Sequence, residues 1–167
     1  MGAAERSRRP AATALILNLR GPGPAILFVE RTIRRGDRWS GQMALPSGRR
    51  EAGDADLAAT ARREARQEVG LQLPTPVGRL GRHRRARVRV TVATFVFTLD
   101  RSPAVVPHPA EVHAAVWVPV AHLASRAAAT SNWYRGMGPF PAIRYGDSTI
   151  WGLTHRIVTG FLRLLDR

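Results

Sequence analysis

Glu64 and Glu68 stand four residues apart in a stretch, 57–69, that contains no glycine or proline. On a helix this spacing puts two carboxylates about one turn apart on one edge, where they repel by a few tenths of a kcal/mol unless positive charge lies between them. A hard divalent cation, Mg2+ or Mn2+, would supply that charge, because both favour carboxylate oxygens completed by water and substrate phosphate. An ordinary solvated glutamate pair balanced by Arg63 would also satisfy the pattern, and spacing alone leaves both readings open. Little else in the chain offers chemistry. The absence of cysteine excludes thiolate zinc sites, disulfide scaffolds and cysteine nucleophiles. The five histidines are scattered without metal-ligand spacing, and Ser40 and the other serines lack a triad partner.

The helix that must carry the glutamates is well marked. Asp54 or Asp56 offers an N-cap, and Gly70 falls where a left-handed C-terminal cap is expected. At about 100° per residue, Ala58, Ala61, Ala65 and Val69 form a stripe of small side chains suited to close packing on a sheet. Glu64 and Glu68 fall beside that stripe, at the rim of the core, and Arg62 and Arg66 lie on the outer face. Upstream, the apolar runs 11–18 and 25–30 flank Gly21 to Pro24 and read as a hairpin. A polar loop then runs from Arg31 to Arg38, and 43–45 predicts a brief strand stopped by Pro46, Ser47 and Gly48. Downstream, 87–99 and 114–118 predict strands, 133–146 reads as loop, and 151–165 predicts a closing amphipathic helix. Strands, a central helix, more strands and a final helix predict an α/β sandwich with a mixed central sheet.

A length of 167 residues suits one domain, 11–167, preceded by a disordered arginine-rich arm over 1–10. Hydrophobic residues make up 44% and charged residues 23% of the chain, and no apolar run approaches the roughly 20 residues of a membrane span. The opening MGAAERSRRP has no signal-peptide core, so the cytoplasm is the expected compartment, with no membrane partner; an arginine-rich organelle leader is the alternative, against which Glu5 and the brevity of the arm argue. The net charge is +14, from 26 basic and 12 acidic residues, and every basic residue is arginine. Arginine spread among many alanines fits compositional bias as well as a selected surface. Aromatic residues, 7% of the chain, are not interleaved with the arginines as in a base-stacking platform. The field favours anionic ligands and names no specific nucleic acid.

The string from Gly48 to Leu71, GRREAGDADLAATARREARQEVGL, resembles the signature of the Nudix hydrolases: a glycine loop, an acidic residue, then a helical R-E-u-x-E-E-x-G-u with u apolar. Gly48 matches the glycine, Arg63 and Glu64 the R-E pair, Ala65 the apolar position, Glu68 the second paired glutamate, and Gly70 with Leu71 the ending. The loop is one residue longer than the commonest form, which places Asp54 at the acidic position and resembles the coenzyme A pyrophosphatase branch. Segments 38–48, 111–120 and 150–158 are similar to that branch too, so the resemblance covers most of 12–165. Four positions depart from the pattern. Gln67 replaces the first paired glutamate, Ser47 the first glycine before the loop, Trp39 a frequent histidine and Leu45 a frequent phenylalanine.

The resemblance implies a Nudix-type α/β/α sandwich that hydrolyses the pyrophosphate bond of a nucleoside diphosphate derivative, with coenzyme A or a derivative as the branch substrate. Glu64 and Glu68 would then bind Mg2+ or Mn2+, with a backbone carbonyl near Gly48 and the amide of Gln67 completing the shell. Arg63 would orient the acids, partnered by Asp54 or nearby backbone. The general base is either a glutamate of the signature or Glu111, just before the 114–118 strand. Arg31 and Arg38 are candidates for the outer phosphates of this small-molecule substrate. A dinucleotide, nucleotide sugar or damaged nucleoside triphosphate is an alternative substrate, and a non-hydrolysing sensor of a phosphorylated ligand an alternative role. A monomer and a homodimer both stay open.

Overall fold

The computed structural model describes residues 10–33, 41–84, 91–101 and 103–166, without the side chains of Arg82 and Arg84. The predicted arm, Arg38 and the 87–90 part of the predicted strand lie outside the described residues or, for the arm, almost wholly so.

Every residue of β1 (Ala11–Asn18) is buried, as its unbroken run of small and aliphatic residues demands of a strand covered on both faces. β1 runs parallel to β6 (Thr91–Leu99), which pairs antiparallel with the edge strand β5 (Gly78–Arg84). The other edge of β1 is divided. Its end pairs with β2 (Ala25–Arg31) through Leu17 and Asn18 only, while its start pairs with β4 (Ser47–Arg49) through Ala11 to Thr13. β2 meanwhile pairs with the short β3 (Met43–Ala44) and, along most of its length, with β7 (Val112–Pro119). β1 and β2 therefore splay apart after one tight contact, and the segment from β3 to β4 fills the gap. The Ala14 N–H donating to the Pro46 carbonyl at 2.9 Å fastens it there.

One face of this sheet is covered by α1 (Leu57–Val69), packed through Ala61, Ala65 and Val69 on Ala12, Ala14, Ile16, Leu27, Val29 and Phe97. The opposite face carries α2 (Val120–Ala124), α3 (Gly152–Leu165) and a three-stranded antiparallel sheet of β8 (Ala129–Tyr134), β9 (Met137–Tyr145) and β10 (Ser148–Trp151). Leu15, Phe28, Val118, Ile143, Ile150 and Ile157 form that second core. The expected α/β/α sandwich with a mixed sheet is what the chain adopts.

α1 has the predicted span, and Gly70 closes it at φ 72°, its own N–H on the Arg66 carbonyl and the Leu71 N–H on the Ala65 carbonyl. Asp56 is the N-cap, accepting the Ala59 N–H at 2.7 Å, which frees Asp54 for another task. Two expectations need correction. Ser47 and Gly48 continue into β4 instead of ending a strand, because the gap beside β1 offers them a ladder. The stretch 133–146 is a hairpin of β8 and β9, not a loop: Asn132 pairs with Phe140 and Ala129 with Ile143, and the hairpin is anchored by the buried Ala142 and Ile143.

Candidate active site

α1 lies over β1 and β4, and its alanines let the helix backbone come close to the sheet. The two glutamates beside the alanine stripe are consequently covered, leaving Glu64 8% and Glu68 4% exposed, deeper than the rim position expected from the helical wheel. β4 supplies the cover. The Ser47 N–H donates to Glu68 Oε2 at 3.2 Å. Gly48 turns its bare Cα toward Glu64, where a Cβ would overlap the carboxylate. The glycine is needed there for close approach.

Arg63 ties the helix to the loop before it. Its Nε and Nη2 grip Asp54 Oδ1 and Oδ2 at 3.0 and 3.1 Å, and Nη2 also reaches the Arg49 carbonyl at 2.8 Å. Nη1 donates to Glu64 Oε1 at 2.8 Å and to Gln67 Oε1 at 2.7 Å. A planar fork is the only side chain that can serve so many acceptors at fixed angles. Asp54 accepts further bonds from the Glu51 N–H and the Thr60 hydroxyl, both at 2.9 Å. The bond from Arg63 above all, with these two donors, holds the Asp54 carboxyl down to about 2 despite its burial. Its contribution to stability is therefore complete above the ordinary aspartate range and is lost only as pH falls through about 2.

The glutamates behave in the opposite way. Burial raises the Glu64 carboxyl, with Arg63 pulling it back and Glu111 and Glu51 adding repulsion. Glu68 is pushed up to about 8, by burial first and by the charge of Glu64 next, against the Ser47 N–H and the nearby Arg31. Two covered carboxylates that resist ionising together are suited to a cation, which would remove both the desolvation and the mutual repulsion. Arg63 occupies Oε1 of Glu64 and Ser47 occupies Oε2 of Glu68, so the second oxygen of each is the donor a hard ion would take. Among the described residues no group of three His, Asp or Glu side chains forms a ready-made metal cage. This donor set suits Mg2+ or Mn2+, held by one or two carboxylates and completed by substrate phosphate and water, better than a metal needing a full protein cage.

Of the other residues singled out from sequence, Arg31 lies near enough to Glu68 to oppose its raised pKa, and Glu111 near enough to both glutamates to raise them. Gln67 is exposed, with its amide oxygen on Arg63. Sequence reasoning placed Glu111 on a loop just before a strand but did not find what holds that loop. It is fastened to α1 by the His108 N–H on the Glu68 carbonyl at 2.9 Å and the Val106 N–H on the Val69 carbonyl at 3.0 Å. Backbone bonds of this kind leave no residue-type signal.

A mixed sheet between helices, with one helix presenting buried carboxylates to a glycine strand, defines an α/β/α sandwich built around a single acid-bearing helix. A family model of the NUDIX domain matches residues 7–137, and the chain belongs to the Nudix hydrolase family. Human mitochondrial coenzyme A diphosphatase NUDT8 is 35% identical over 178 residues, covering 98% of this chain and 74% of that protein. Its name places that relative in mitochondria, not in the cytoplasm expected here from the lack of a signal-peptide core. The Schizosaccharomyces pombe protein C14C4.10c is 35% identical over 109 residues, and the match covers 60% of this chain and 33% of that protein. The chain thus spans about a third of that relative's length. The crystal structure of a MutT protein from Methanosarcina mazei Go1 shares the fold at a TM-score of 0.60 and 19% identity, covering 95% of this chain and 97% of that one. Among the described residues no helix is long and apolar enough to cross a membrane.

Proposed function

We propose that this protein hydrolyses the pyrophosphate bond of coenzyme A or a coenzyme A derivative, with Mg2+ or Mn2+ held at Glu64 and Glu68. The observation that carries the reading is the buried carboxylate pair under β4, Glu64 against Gly48 and Glu68 on the Ser47 N–H. The near full-length similarity to a coenzyme A diphosphatase supports the substrate. A diphosphate repels an incoming oxygen, and a divalent cation, when bound, neutralises that charge and makes water a better nucleophile near neutral pH. The chain's own residues do the rest. Arg63 holds Glu64 in place and is itself held by Asp54. The Gly48 carbonyl and the Gln67 amide would help hold the ion, Arg31 and Arg38 would take outer phosphate oxygens, and Glu111 would accept a proton from the attacking water.

Product release from a panel containing coenzyme A, a diadenosine polyphosphate, a nucleotide sugar and an oxidised nucleoside triphosphate tests the substrate. The highest kcat/KM is expected for coenzyme A or its thioesters. A higher value for another member of the panel would replace the substrate. Binding without hydrolysis of any member would make the protein a sensor.

Gln67→Glu tests the surroundings of the ion. The new carboxylate would draw Arg63 Nη1 toward itself by a charge-assisted bond, loosening its hold on Glu64 Oε1 and adding negative charge beside the site. Half-saturation of activity is expected at a lower Mg2+ concentration, by up to about 5-fold, given that an exposed charge interaction is worth up to about 1 kcal/mol. An unchanged Mg2+ dependence would put Gln67 outside the ion's surroundings.

A further inference from the structure

We infer that Thr32 is a positioning residue for the reaction: with a β-bulge at His113, it fixes the place of the turn that carries Glu111 beside the helix glutamates. The inference rests on the role given to Glu111 above. Along β2 and β7, Val29 pairs with Ala115 and Glu30 with Ala114, but Arg31 pairs with Val112, leaving His113 as an extra residue. Such a bulge reverses which residues face the core beyond it. Ala115 and Trp117 pack on the α1 side of the sheet, and so does Val112, although its parity is opposite. His113 is rolled out to solvent. With regular pairing His113 would stand opposite Arg31, Val112 would turn outward, and Glu111 would lie one residue, about 3.3 Å, further along the strand.

The bulge instead brings Glu111 to the end of β2, where the Thr32 N–H donates to the Glu111 carbonyl at 3.0 Å. A tight turn holds it from the other side, the His108 carbonyl accepting the Glu111 and Val112 N–H groups at 2.9 and 2.8 Å. The Thr32 hydroxyl completes the arrangement by donating to the Pro109 carbonyl at 3.0 Å. The turn is thus clamped between α1, through His108 on Glu68, and Thr32, the residue just after β2. In this position the Glu111 charge acts on Glu64 and Glu68 together. The Thr32 hydroxyl is the one side-chain group among these anchors, so it can be removed without disturbing backbone pairing.

The experiment is a double-mutant cycle of Thr32→Val with Glu111→Gln, measured as kcat, KM and half-saturating Mg2+ for coenzyme A, with Thr32→Ser and His113→Ala alongside. Thr32→Val should lower kcat about 5-fold, the range of one hydrogen bond, with KM and Mg2+ dependence unchanged, and Thr32→Ser should restore it. In the Glu111→Gln background the same change should have no further effect. His113→Ala should leave kcat unchanged, because the bulge needs a residue there and not an imidazole. If Glu111→Gln itself is fully active, the role of Glu111 fails. If Glu111→Gln is impaired but Thr32→Val is not, or the two losses simply multiply, the positioning role of Thr32 is overturned. A loss in His113→Ala equal to that of Glu111→Gln would overturn the spacer role of the bulge.

Discussion

Glu68→Gln is expected to lower turnover by at least ~100-fold while the fold persists, the loss that follows when a charge-stabilising group is removed from a site of this kind. The same substitution should make the metal-free protein more resistant to heat at alkaline pH. In the fold Glu68 titrates near 8, whereas the unfolded chain releases that proton in the ordinary carboxylate range. Folding therefore takes up a proton between those values, and the native state loses stability as pH rises from the lower to the upper one. Glutamine keeps the shape and the bond from Ser47 but carries no charge. The gap in melting temperature between variant and parent should widen from pH 5 to pH 8 and shrink when Mg2+ is added to the parent. A constant gap across that range, with full activity, would remove the helix flank from the site.

Arg63→Ala should be the most destabilising single change at the site. It leaves Asp54, 7% exposed, without the guanidinium that two of its bonds come from, and releases Glu64, Gln67 and the Arg49 carbonyl together. Breaking a buried ion pair from one side costs about 3–5 kcal/mol, which for a chain of this size corresponds to a fall in melting temperature of roughly 6–20 °C. Arg63→Lys keeps the charge but not the fork, so it should recover only part of that loss. Activity should fall with both, because Glu64 is no longer held against Gly48. A melting temperature within about 1 °C of the parent for Arg63→Ala would show that the network contributes nothing to the fold.

The helix and its acids were legible because their signals are local. Caps, the alanine stripe and the i, i+4 glutamates all lie within one element, and the Arg63–Asp54 pairing follows the signature's order. The hairpin of β8 and β9 was hidden by Gly136, Gly138, Pro139 and Pro141, residues that a short outlying sheet tolerates but a central strand would not. β5 was hidden by its arginines, a residue type that an edge strand tolerates. The depth of Glu64 and Glu68 could not be read from the helix either, because the cover comes from β4, a segment that finds its ladder only where β1 and β2 splay. The place of the turn that carries Glu111 depends on a one-residue slip between β2 and β7 and on backbone bonds to His108, neither of which alters the pattern of residue types.

The most direct measurement is a titration of metal-free protein with Mn2+, following bound ion and coenzyme A hydrolysis in the same samples for the parent and for a Glu64→Gln, Glu68→Gln double variant. Binding and hydrolysis in the parent should rise together over the same Mn2+ range, with protons released near pH 7 as Glu68 ionises, and both should be lost in the variant. Undiminished hydrolysis after thorough chelation, or equal Mn2+ binding by the variant, would contradict the assignment of Glu64 and Glu68 as the seat of the ion.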